Sequence, residues 1–279
     1  METKKHTDQH NRTYRRALTI AGSDSGGGAG IQADLKSFAA LGCYGMSVIT
    51  ALTAQNTTGV SAIHPVPADF VGRQMEAIFS DIGTDAVKIG MLFSSPLIEA
   101  VAENLKRHAA ANIVLDPVMI AQSGDRLLED DAVQAIKTHL LPMADVVTPN
   151  LPEAAVLLER EIGGLDDMQS AARELARFGC RAVLLKGGHL ERYRSTDVLY
   201  MAQENRLTVL GGDVVNTRNN HGTGCTLSSA VAAYLAHGMD VETAVRRAKI
   251  YIGEAIRAGA RYRLGAGHGP VHHFFNVWR

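Results

Sequence analysis

Residues 221–225, with the sequence HGTGC, combine groups that can hold an anion with a thiol. An apolar pattern at helical spacing follows directly, from Leu227 to Leu235. Small residues at the start of a helix let backbone N–H groups approach an anion, and the helix dipole adds partial positive charge. A cysteine in the first turn lies where its thiolate is favoured. The segment predicts an oxyanion hole beside a base or nucleophile; the alternative is a glycine-rich loop before one buried helical cysteine.

Polar or glycine-rich residues also follow most of the strands that the sequence predicts. Apolar runs typical of strands alternate with helical patterns from Ala17 onward, which indicates an α/β fold with a mainly parallel sheet and helices on both faces. Ligands bind beyond the carboxyl ends of the strands in such sheets. Because all these residues are expected at that edge, the pattern favours a functional site there. They are Ser23-Asp24, Gln55-Asn56, Gly90-Met91, Asp116, Thr148-Pro149-Asn150 and Lys186-Gly187-Gly188.

The length of 279 residues suits one α/β domain, which we place at residues 16–279 because no linker or internal repeat interrupts that range. Two strands at Asp197–Met201 and Arg206–Leu210 are predicted as a hairpin at an antiparallel edge. Residues 1–15 are polar and lack the apolar stretch of a signal peptide. We interpret them as a disordered N-terminal extension.

Composition excludes several classes of protein. The formal net charge is −1 and no long basic run occurs, so the electrostatic footprint of a nucleic-acid-binding protein is missing. The three cysteines form no C-x-x-C pair, which predicts reduced thiols in a cytoplasmic protein. No apolar run approaches the ~18 residues of a transmembrane helix, so no membrane association is expected.

Two common phosphate-binding motifs do not fit. A P-loop requires a Gly-Lys dipeptide, and the chain contains none. The glycine-rich run at 26–30 follows a predicted strand and opens a helix, but the G-x-G-x-x-G spacing from Gly26 would require glycine where Ile31 stands. A closely approached backbone at this run can instead close over a small flat ligand.

Several separated motifs carry a resemblance to a known family. The stretches AGSDSGGGAGIQAD at 21–34 and VITALTAQ at 48–55 resemble the start of hydroxymethylpyrimidine/phosphomethylpyrimidine kinases, members of the ribokinase-like superfamily that act in thiamine biosynthesis. The similarity runs in the expected order from about residue 17 to the C-terminus. Its further motifs are KIGML at 88–92, DPVM at 116–119, TPNLPE at 148–153, KGGH at 186–189, HGTGC at 221–225 and GPVHHF at 269–274.

The resemblance implies a three-layer α/β/α fold and ATP-dependent phosphorylation of 4-amino-5-hydroxymethyl-2-methylpyrimidine, first to the monophosphate and then to the diphosphate. It implies that the backbone N–H groups of Gly222, Thr223, Gly224 and Cys225 form the anion hole for the γ-phosphoryl group. Cys225 would lie beside the acceptor hydroxyl, where the wider superfamily places an aspartate base. A homodimer is implied as well.

Four further residues are candidates for binding ATP and Mg²⁺. Lys186 follows a strand, where its charge can meet phosphates; the alternative is a surface lysine. Asn150 and Glu153 have the spacing of a helix N-cap and its acidic N3 residue, while the resemblance implies a role in Mg²⁺ and phosphate organisation, with Glu153 acting through water. Asp116 precedes a proline at a strand end, as either a site residue or a turn residue.

The expected pyrimidine site centres on Gln55. Its carboxamide offers a donor and an acceptor side by side, which matches an aminopyrimidine edge, although a loop glutamine can also cap nearby backbone. The resemblance favours Asp34 as an acceptor for the exocyclic amine over a solvated helix residue. Ala29, Met91 and Val118 are expected to pack against the ring faces.

Two rival functions remain at this stage. A pyridoxal/pyridoxine kinase uses the same scaffold, and Gln55 with Met91 favours the aminopyrimidine over it. A non-catalytic pyrimidine-binding regulator would keep the pocket without the chemistry, and the retained segment 222–225 with Lys186 and Glu153 argues against it. The adjacent His272 and His273 are interpreted as structural rather than as metal ligands.

Overall fold

A computed structural model describes residues 13–119, 131–188 and 195–278. Their strands form one nine-stranded sheet in the order β3-β2-β1-β4-β5-β6-β7-β8-β9. The six strands from β2 to β7 in this order are parallel, whereas β3 and the β8–β9 hairpin are antiparallel edges. The strands are β1 Arg16–Asp24, β2 Tyr44–Asn56, β3 Gly59–Pro65, β4 Ala86–Ile89, β5 Ile113–Leu115, β6 Val146–Val147, β7 Ala182–Lys186, β8 Asp197–Met201 and β9 Arg206–Leu210.

Helices cover both faces of the sheet, which confirms the predicted three-layer α/β/α fold. One apolar core, around Leu18, Val71 and Leu105, lies on one face, and another, around Phe38, Val231 and Tyr251, lies on the other. The helices are α1 Gly30–Ala40, α2 Ala68–Phe79, α3 Ser95–Arg107, α4 Ala132–Ala135, α5 Leu151–Leu158, α6 Leu165–Ala176, α7 Thr223–Ala236 and α8 Val241–Gly259. No helix in the described ranges is long and apolar enough to cross a membrane.

The predicted hairpin is confirmed with its expected bounds, but β3 was not predicted. Strand β3 is half-exposed along its length and ends at Pro65, so it lacks the alternation of a half-buried strand. The helix predicted from residue 130 to residue 140 begins outside the described residues, and its described part is irregular. After α4 the chain forms a π-helical turn, Ile136–Leu140, and a 3₁₀ turn containing Pro142, which has no N–H to continue an α-helix.

Candidate active site

The predicted helix at residue 223 begins where expected, behind Gly222. Gly222 is the N-cap of α7 and has φ 76°. A Cβ at this position would lie 1.8 Å from the carbonyl oxygen of Gly28, so the glycine-rich loop of residues 26–30 and the start of α7 are in direct contact. Glycine is required here both for the backbone conformation and for this close approach.

The first turn of α7 presents free backbone donors. No acceptor in the described residues receives the N–H groups of Gly222, Gly224 or Cys225. The N–H of Thr223 differs from the expectation, because it donates to the carbonyl oxygen of Asn220 at 3.3 Å. The helix N-terminus therefore offers three unoccupied donors for an anion, with the dipole adding to their effect.

A cavity of about 500 Å³ lies beside this helix end, at the carboxyl ends of the strands. Its size suits a small-molecule ligand. Every predicted site residue except Asp34 contributes to its wall. These residues are Ala29, Gln55, Met91, Asp116, Val118, Asn150, Glu153, Lys186, Gly222, Thr223, Gly224 and Cys225.

Lys186 and Asp116 form an ion pair beside the N-terminus of α7. Lys186 Nζ lies 2.9 Å from Asp116 Oδ1, and the hydroxyl of Thr148 donates to the same oxygen at 3.1 Å. Burial raises the pKa of Asp116, but the charges of Lys186 and Lys88 outweigh it and hold that pKa below its usual range. A Cβ on Gly224 would lie 3.4 Å from Lys186 Nζ, so the ammonium group lies beside the first turn of α7.

Asn150 and Glu153 form the predicted capping box at the start of α5. The Asn150 side chain accepts from the Glu153 N–H at 2.8 Å, and Glu153 Oε2 accepts from the Asn150 N–H at 2.8 Å. Burial raises the pKa of Glu153 to about 7, against the lowering effect of Lys186. Because the Glu153 carboxyl also lines the cavity, the cap and a ligand-binding role are compatible.

The described residues contain no cluster of three or more His, Cys, Asp or Glu side chains that could hold a metal ion. Of the three carboxylates at the cavity wall, Asp116 is paired with Lys186 and Asp24 with His221, whereas Glu153 has no cationic partner within an ion-pair distance among the described residues. This donor set fits Mg²⁺ bound mainly by waters and substrate phosphates, because Mg²⁺ keeps much of its hydration and uses few protein ligands.

The surroundings of Cys225 oppose the thiolate that a helix N-terminus by itself favours. Burial raises the pKa of Cys225 to about 11, with further raising by Asp34 and Asp116, and only Lys88 and a backbone hydrogen bond from Gly30 oppose it. The side chain is therefore a thiol near neutral pH.

The prediction that Asp34 contacts the ligand is wrong. Its side chain is fully buried in α1 and lies 2.9 Å from Lys88 Nζ. Its oxygens also accept from the hydroxyls of Thr19 and Ser229, each at 2.6 Å. These three partners are the physical reason why Asp34 faces the protein interior rather than the cavity.

Lys88 is a residue that sequence reasoning missed. It stands inside a buried four-residue strand, has no exposed surface, and forms part of the cavity floor. Burial lowers its pKa, but the carboxylates of Asp34 and Asp116 outweigh this and raise it overall, so Lys88 is charged. A lysine within the run Ala86–Ile89 was a signal that it needed a buried anionic partner.

Asp24 and His221 form a second pair that was not assigned in advance. Asp24 Oδ2 lies 2.9 Å from His221 Nε2, and the Asp24 carboxylate also accepts from the N–H groups of Gly26, Gly28 and Ala29. Burial raises the pKa of Asp24, but the hydrogen bonds from His221 and these N–H groups hold it below the usual range. The pair joins the glycine-rich loop to the segment before α7.

The apolar residues expected at the ring faces lie together at the cavity wall. Met91 packs with Ala51, Ile63 and Val118 in a small cluster separate from the two main cores. A Cβ at Gly22 would lie 2.5 Å from the Met91 methyl group, so Met91 packs directly against the backbone of Gly22. Ala29 is the N-cap of α1 and completes this wall.

His272 and His273 are buried, in agreement with a structural role. Thr226 Oγ1 lies 3.0 Å from His273 Nε2, and Tyr251 donates to the His273 carbonyl oxygen at 2.9 Å. Burial, together with Lys36 and His272, lowers the pKa of His273 to about 3. The neutral imidazole contacts α7 and the backbone carbonyl accepts from α8, so His273 connects the C-terminal segment to both helices.

The strand order, with a glycine-capped helix N-terminus that presents free N–H groups in place of a P-loop, is typical of one class of protein, the ribokinase-like small-molecule kinases. A profile described as phosphomethylpyrimidine kinase matches residues 24–272, and the chain belongs to this family. ATP is the phosphate donor that the family implies. The hydroxymethylpyrimidine/phosphomethylpyrimidine kinase of Rhizobium meliloti is 53% identical over 264 residues, which cover 94% of this chain and 98% of that protein. Its Salmonella typhimurium counterpart is 49% identical over 264 residues, with the same coverage of 94% and 98%.

Two solved structures extend the comparison. The phosphomethylpyrimidine kinase of Clostridium difficile is 46% identical with a TM-score of 0.77, covering 86% of this chain and 99% of that one. A Bacillus subtilis pyridoxal kinase bound to ADP is 38% identical with a TM-score of 0.87, covering 95% of this chain and 100% of that one. The fold is thus common to both activities, so substrate choice depends on the cavity wall.

Proposed function

We propose that residues 16–279 form one kinase domain that phosphorylates 4-amino-5-hydroxymethyl-2-methylpyrimidine to its monophosphate and then to the diphosphate, with ATP as donor. The observation that carries this function is the first turn of α7, where free N–H groups lie beside Lys186 at the wall of a cavity that Gln55 also lines. A phosphoryl acceptor held by Gln55 would lie between these groups.

Phosphoryl transfer needs positioning and charge neutralisation more than covalent chemistry from the protein. The N–H groups of Gly222, Gly224 and Cys225 would hold the transferring phosphoryl oxygens. Lys186 would neutralise the charge that develops on the leaving phosphate, and Asp116, at 2.9 Å, keeps its ammonium group aimed at α7. Such prearranged donors cost little reorganisation during the reaction.

Glu153 and Asn150 would organise Mg²⁺ through water. When bound, Mg²⁺ would neutralise negative charge on the phosphates. The capping box fixes the Glu153 carboxylate at the cavity wall, and its deprotonated form is the one that can order the hydration shell of a cation.

We expect Glu153→Gln to raise the Mg²⁺ concentration needed for half-maximal activity by about 10–100-fold at pH 8. The amide keeps the capping box but carries no charge. Because the Glu153 pKa is about 7, the carboxyl is mostly protonated at pH 6 and mostly ionised at pH 8. The Mg²⁺ concentration that the wild type needs for half-maximal activity should therefore decrease as the pH is raised from 6 to 8. Magnesium titrations at both pH values measure this effect.

Glu159→Gln is the matched control for that titration. Glu159 is the exposed C-cap of the same helix and pairs with Lys137 outside the cavity. The role of Glu153 is contradicted if the Mg²⁺ concentration for half-maximal activity changes equally in both variants. It is also contradicted if that concentration depends on pH in Glu153→Gln as it does in the wild type.

Cys225 is proposed as the group that accepts the proton of the hydroxymethyl acceptor. The first step must remove a proton from an alcohol, whereas the monophosphate acceptor of the second step is already largely ionised near pH 7. With the Cys225 pKa at about 11, only a small thiolate fraction is available at neutral pH. That fraction grows about tenfold per pH unit while the pH remains below the pKa.

The first-step kcat of the wild-type enzyme is therefore expected to rise with pH between 7 and 9.5, and the second-step kcat is expected to change much less. Cys225→Ala should remove the rise and reduce the first step more than the second. Steady-state rates for each acceptor across this range measure both effects. Equal losses in the two steps, or a first-step rate independent of pH, would show that the thiol is not the base.

Substrate choice between the two activities of this scaffold is tested by kcat/KM for the aminopyrimidine and for pyridoxal in one coupled assay. We expect a preference for the aminopyrimidine, because the identity to hydroxymethylpyrimidine/phosphomethylpyrimidine kinases, 53% for the Rhizobium meliloti protein, exceeds the 38% for the Bacillus subtilis pyridoxal kinase. A preference for pyridoxal would reverse the assignment.

A cytoplasmic homodimer remains part of the proposal, and light scattering of the purified protein tests the dimer.

A further inference from the structure

The terminal amide of Gln55 lies between His221 and Thr53, whose protons are positioned by their other hydrogen bonds. The structure places the amide nitrogen 3.4 Å from His221 Nε2 and the amide oxygen 3.1 Å from Thr53 Oγ1. The two ends of an amide have nearly the same shape, so the surrounding hydrogen bonds decide which end faces which partner.

On one side, His221 Nε2 must carry a proton. Its partner, Asp24 Oδ2, already accepts from the N–H groups of Gly28 and Ala29, at 2.9 and 2.8 Å. A carboxylate oxygen used in this way is an acceptor, so the 2.9 Å contact with His221 requires a donor on the ring nitrogen. A protonated ring nitrogen has no lone pair to accept from an amide nitrogen, so the Gln55 NH₂ would oppose a second donor at 3.4 Å. The amide oxygen can instead take the weaker share of a bifurcated bond from the N–H whose main acceptor is Asp24.

On the other side, Thr53 has no proton left for Gln55. Its hydroxyl lies 2.8 Å from the carbonyl oxygen of Ser23, which can only accept. The single hydroxyl proton is therefore used there, and Thr53 Oγ1 can only accept from Gln55. The amide NH₂ satisfies this requirement and the amide oxygen does not.

Both sides call for the same half-turn of the amide, with its oxygen towards His221 and its nitrogen towards Thr53. We infer that Thr53 and the Asp24–His221 pair are specificity-determining residues that hold the Gln55 amide in this orientation. This inference rests on the proposed pyrimidine site. The His221 ring is itself confined by Gly28, where a Cβ would lie 2.3 Å from the ring carbon Cδ2.

An amide held in one orientation selects ligands by the order of hydrogen-bond donor and acceptor along the edge that faces it. The second lone pair of the oxygen, on the side of His221, accepts from a ligand donor, and the second N–H, on the side of Thr53, donates to a ligand acceptor. A 4-aminopyrimidine supplies an amine as donor beside a ring nitrogen as acceptor. Since the amine lies between that nitrogen and the C5 substituent, this orientation directs the hydroxymethyl group towards Gly222 and α7. A 4-oxopyrimidine presents the opposite polarity.

Calorimetry with two unreactive ligands tests the inference. They are 2,5-dimethylpyrimidin-4-amine and 2,5-dimethylpyrimidin-4-one, which lack the acceptor hydroxyl and differ in edge polarity. We expect the wild-type protein to bind the amine at least about a hundredfold more tightly, because the oxo ligand leaves polar groups unpaired. Thr53→Val should lower this ratio by about tenfold, whereas Thr53→Ser should retain it.

Thr208→Val on β9, remote from the Gln55 amide, is the matched control and should keep the wild-type ratio. A wild-type ratio near one, or a Thr53→Val variant that loses affinity for both ligands equally, would overturn the inference. Amine-selective binding without phosphoryl transfer would overturn the proposed kinase function and leave the inference intact. Phosphoryl transfer without selective binding of the amine would overturn the inference and leave the proposed kinase function intact. Binding of neither ligand would overturn both the pyrimidine site and the inference.

Discussion

Replacing Gly222 by alanine is expected to lower kcat for both acceptors by about a thousandfold, the upper end of the loss seen when one oxyanion donor is removed. Gly222 has φ 76°, and an added Cβ would lie 1.8 Å from the Gly28 carbonyl oxygen. That contact forces the glycine-rich loop and the start of α7 apart. The N–H groups of Gly222, Gly224 and Cys225 would then no longer converge on one point.

Gly238→Ala is the control for backbone strain in the Gly222 experiment. Gly238 follows the other end of α7 and has φ 83°, but a Cβ there would have no heavy atom within 4 Å. It should cost about 1 kcal/mol of stability and leave kcat close to that of the wild type. Urea unfolding and steady-state kinetics on both variants give the comparison. Similar kcat values for Gly222→Ala and the wild type would contradict the anion hole.

Lys88→Met is expected to destabilise the protein by about 3–5 kcal/mol, the cost of breaking a buried ion pair from one side. The Lys88 and Asp34 side chains have no exposed surface and are 2.9 Å apart. Methionine fills the space of the lysine stem but leaves the Asp34 carboxylate without its cation. The free energy of unfolding in urea measures the loss.

A double variant separates charge from packing in this pair. Asp34→Asn combined with Lys88→Met should recover much of the lost stability, because a neutral amide keeps partners in Thr19 and Ser229. Lys137→Met is the matched control; its partner Glu159 is 80% exposed and can be rehydrated, so the cost should stay below about 1 kcal/mol. A Lys88→Met variant as stable as this control would contradict a buried, charged pair.

Local signals made part of the site predictable from the sequence. The start of α7 at Thr223 follows from the small residues before a helical apolar pattern, and the Asn150–Glu153 capping box follows from its spacing. The edge of the sheet was predictable as well, since the carboxyl ends of parallel strands meet there. For these reasons all but one of the predicted site residues lie around one cavity.

Features that depend on distant partners were not predictable in this way. Asp34 is buried by Lys88, 54 positions away, and by Ser229, 195 positions away. The Cys225 pKa is raised by burial and by the charges of Asp34 and Asp116, which the sequence of its own helix does not show. The Asp24–His221 pair spans 197 positions, and only the contact of two glycine-bearing loops brings it together.

The central claim is tested most directly by mass spectrometry of 4-amino-5-hydroxymethyl-2-methylpyrimidine incubated with the protein, ATP and Mg²⁺. A time course should show the monophosphate first and the diphosphate after it, with ADP formed in proportion to the phosphoryl groups transferred. The Gly222→Ala variant under the same conditions should form neither product at a comparable rate. Binding of the pyrimidine without any phosphorylated product would contradict the kinase function and identify a non-catalytic pyrimidine-binding protein instead.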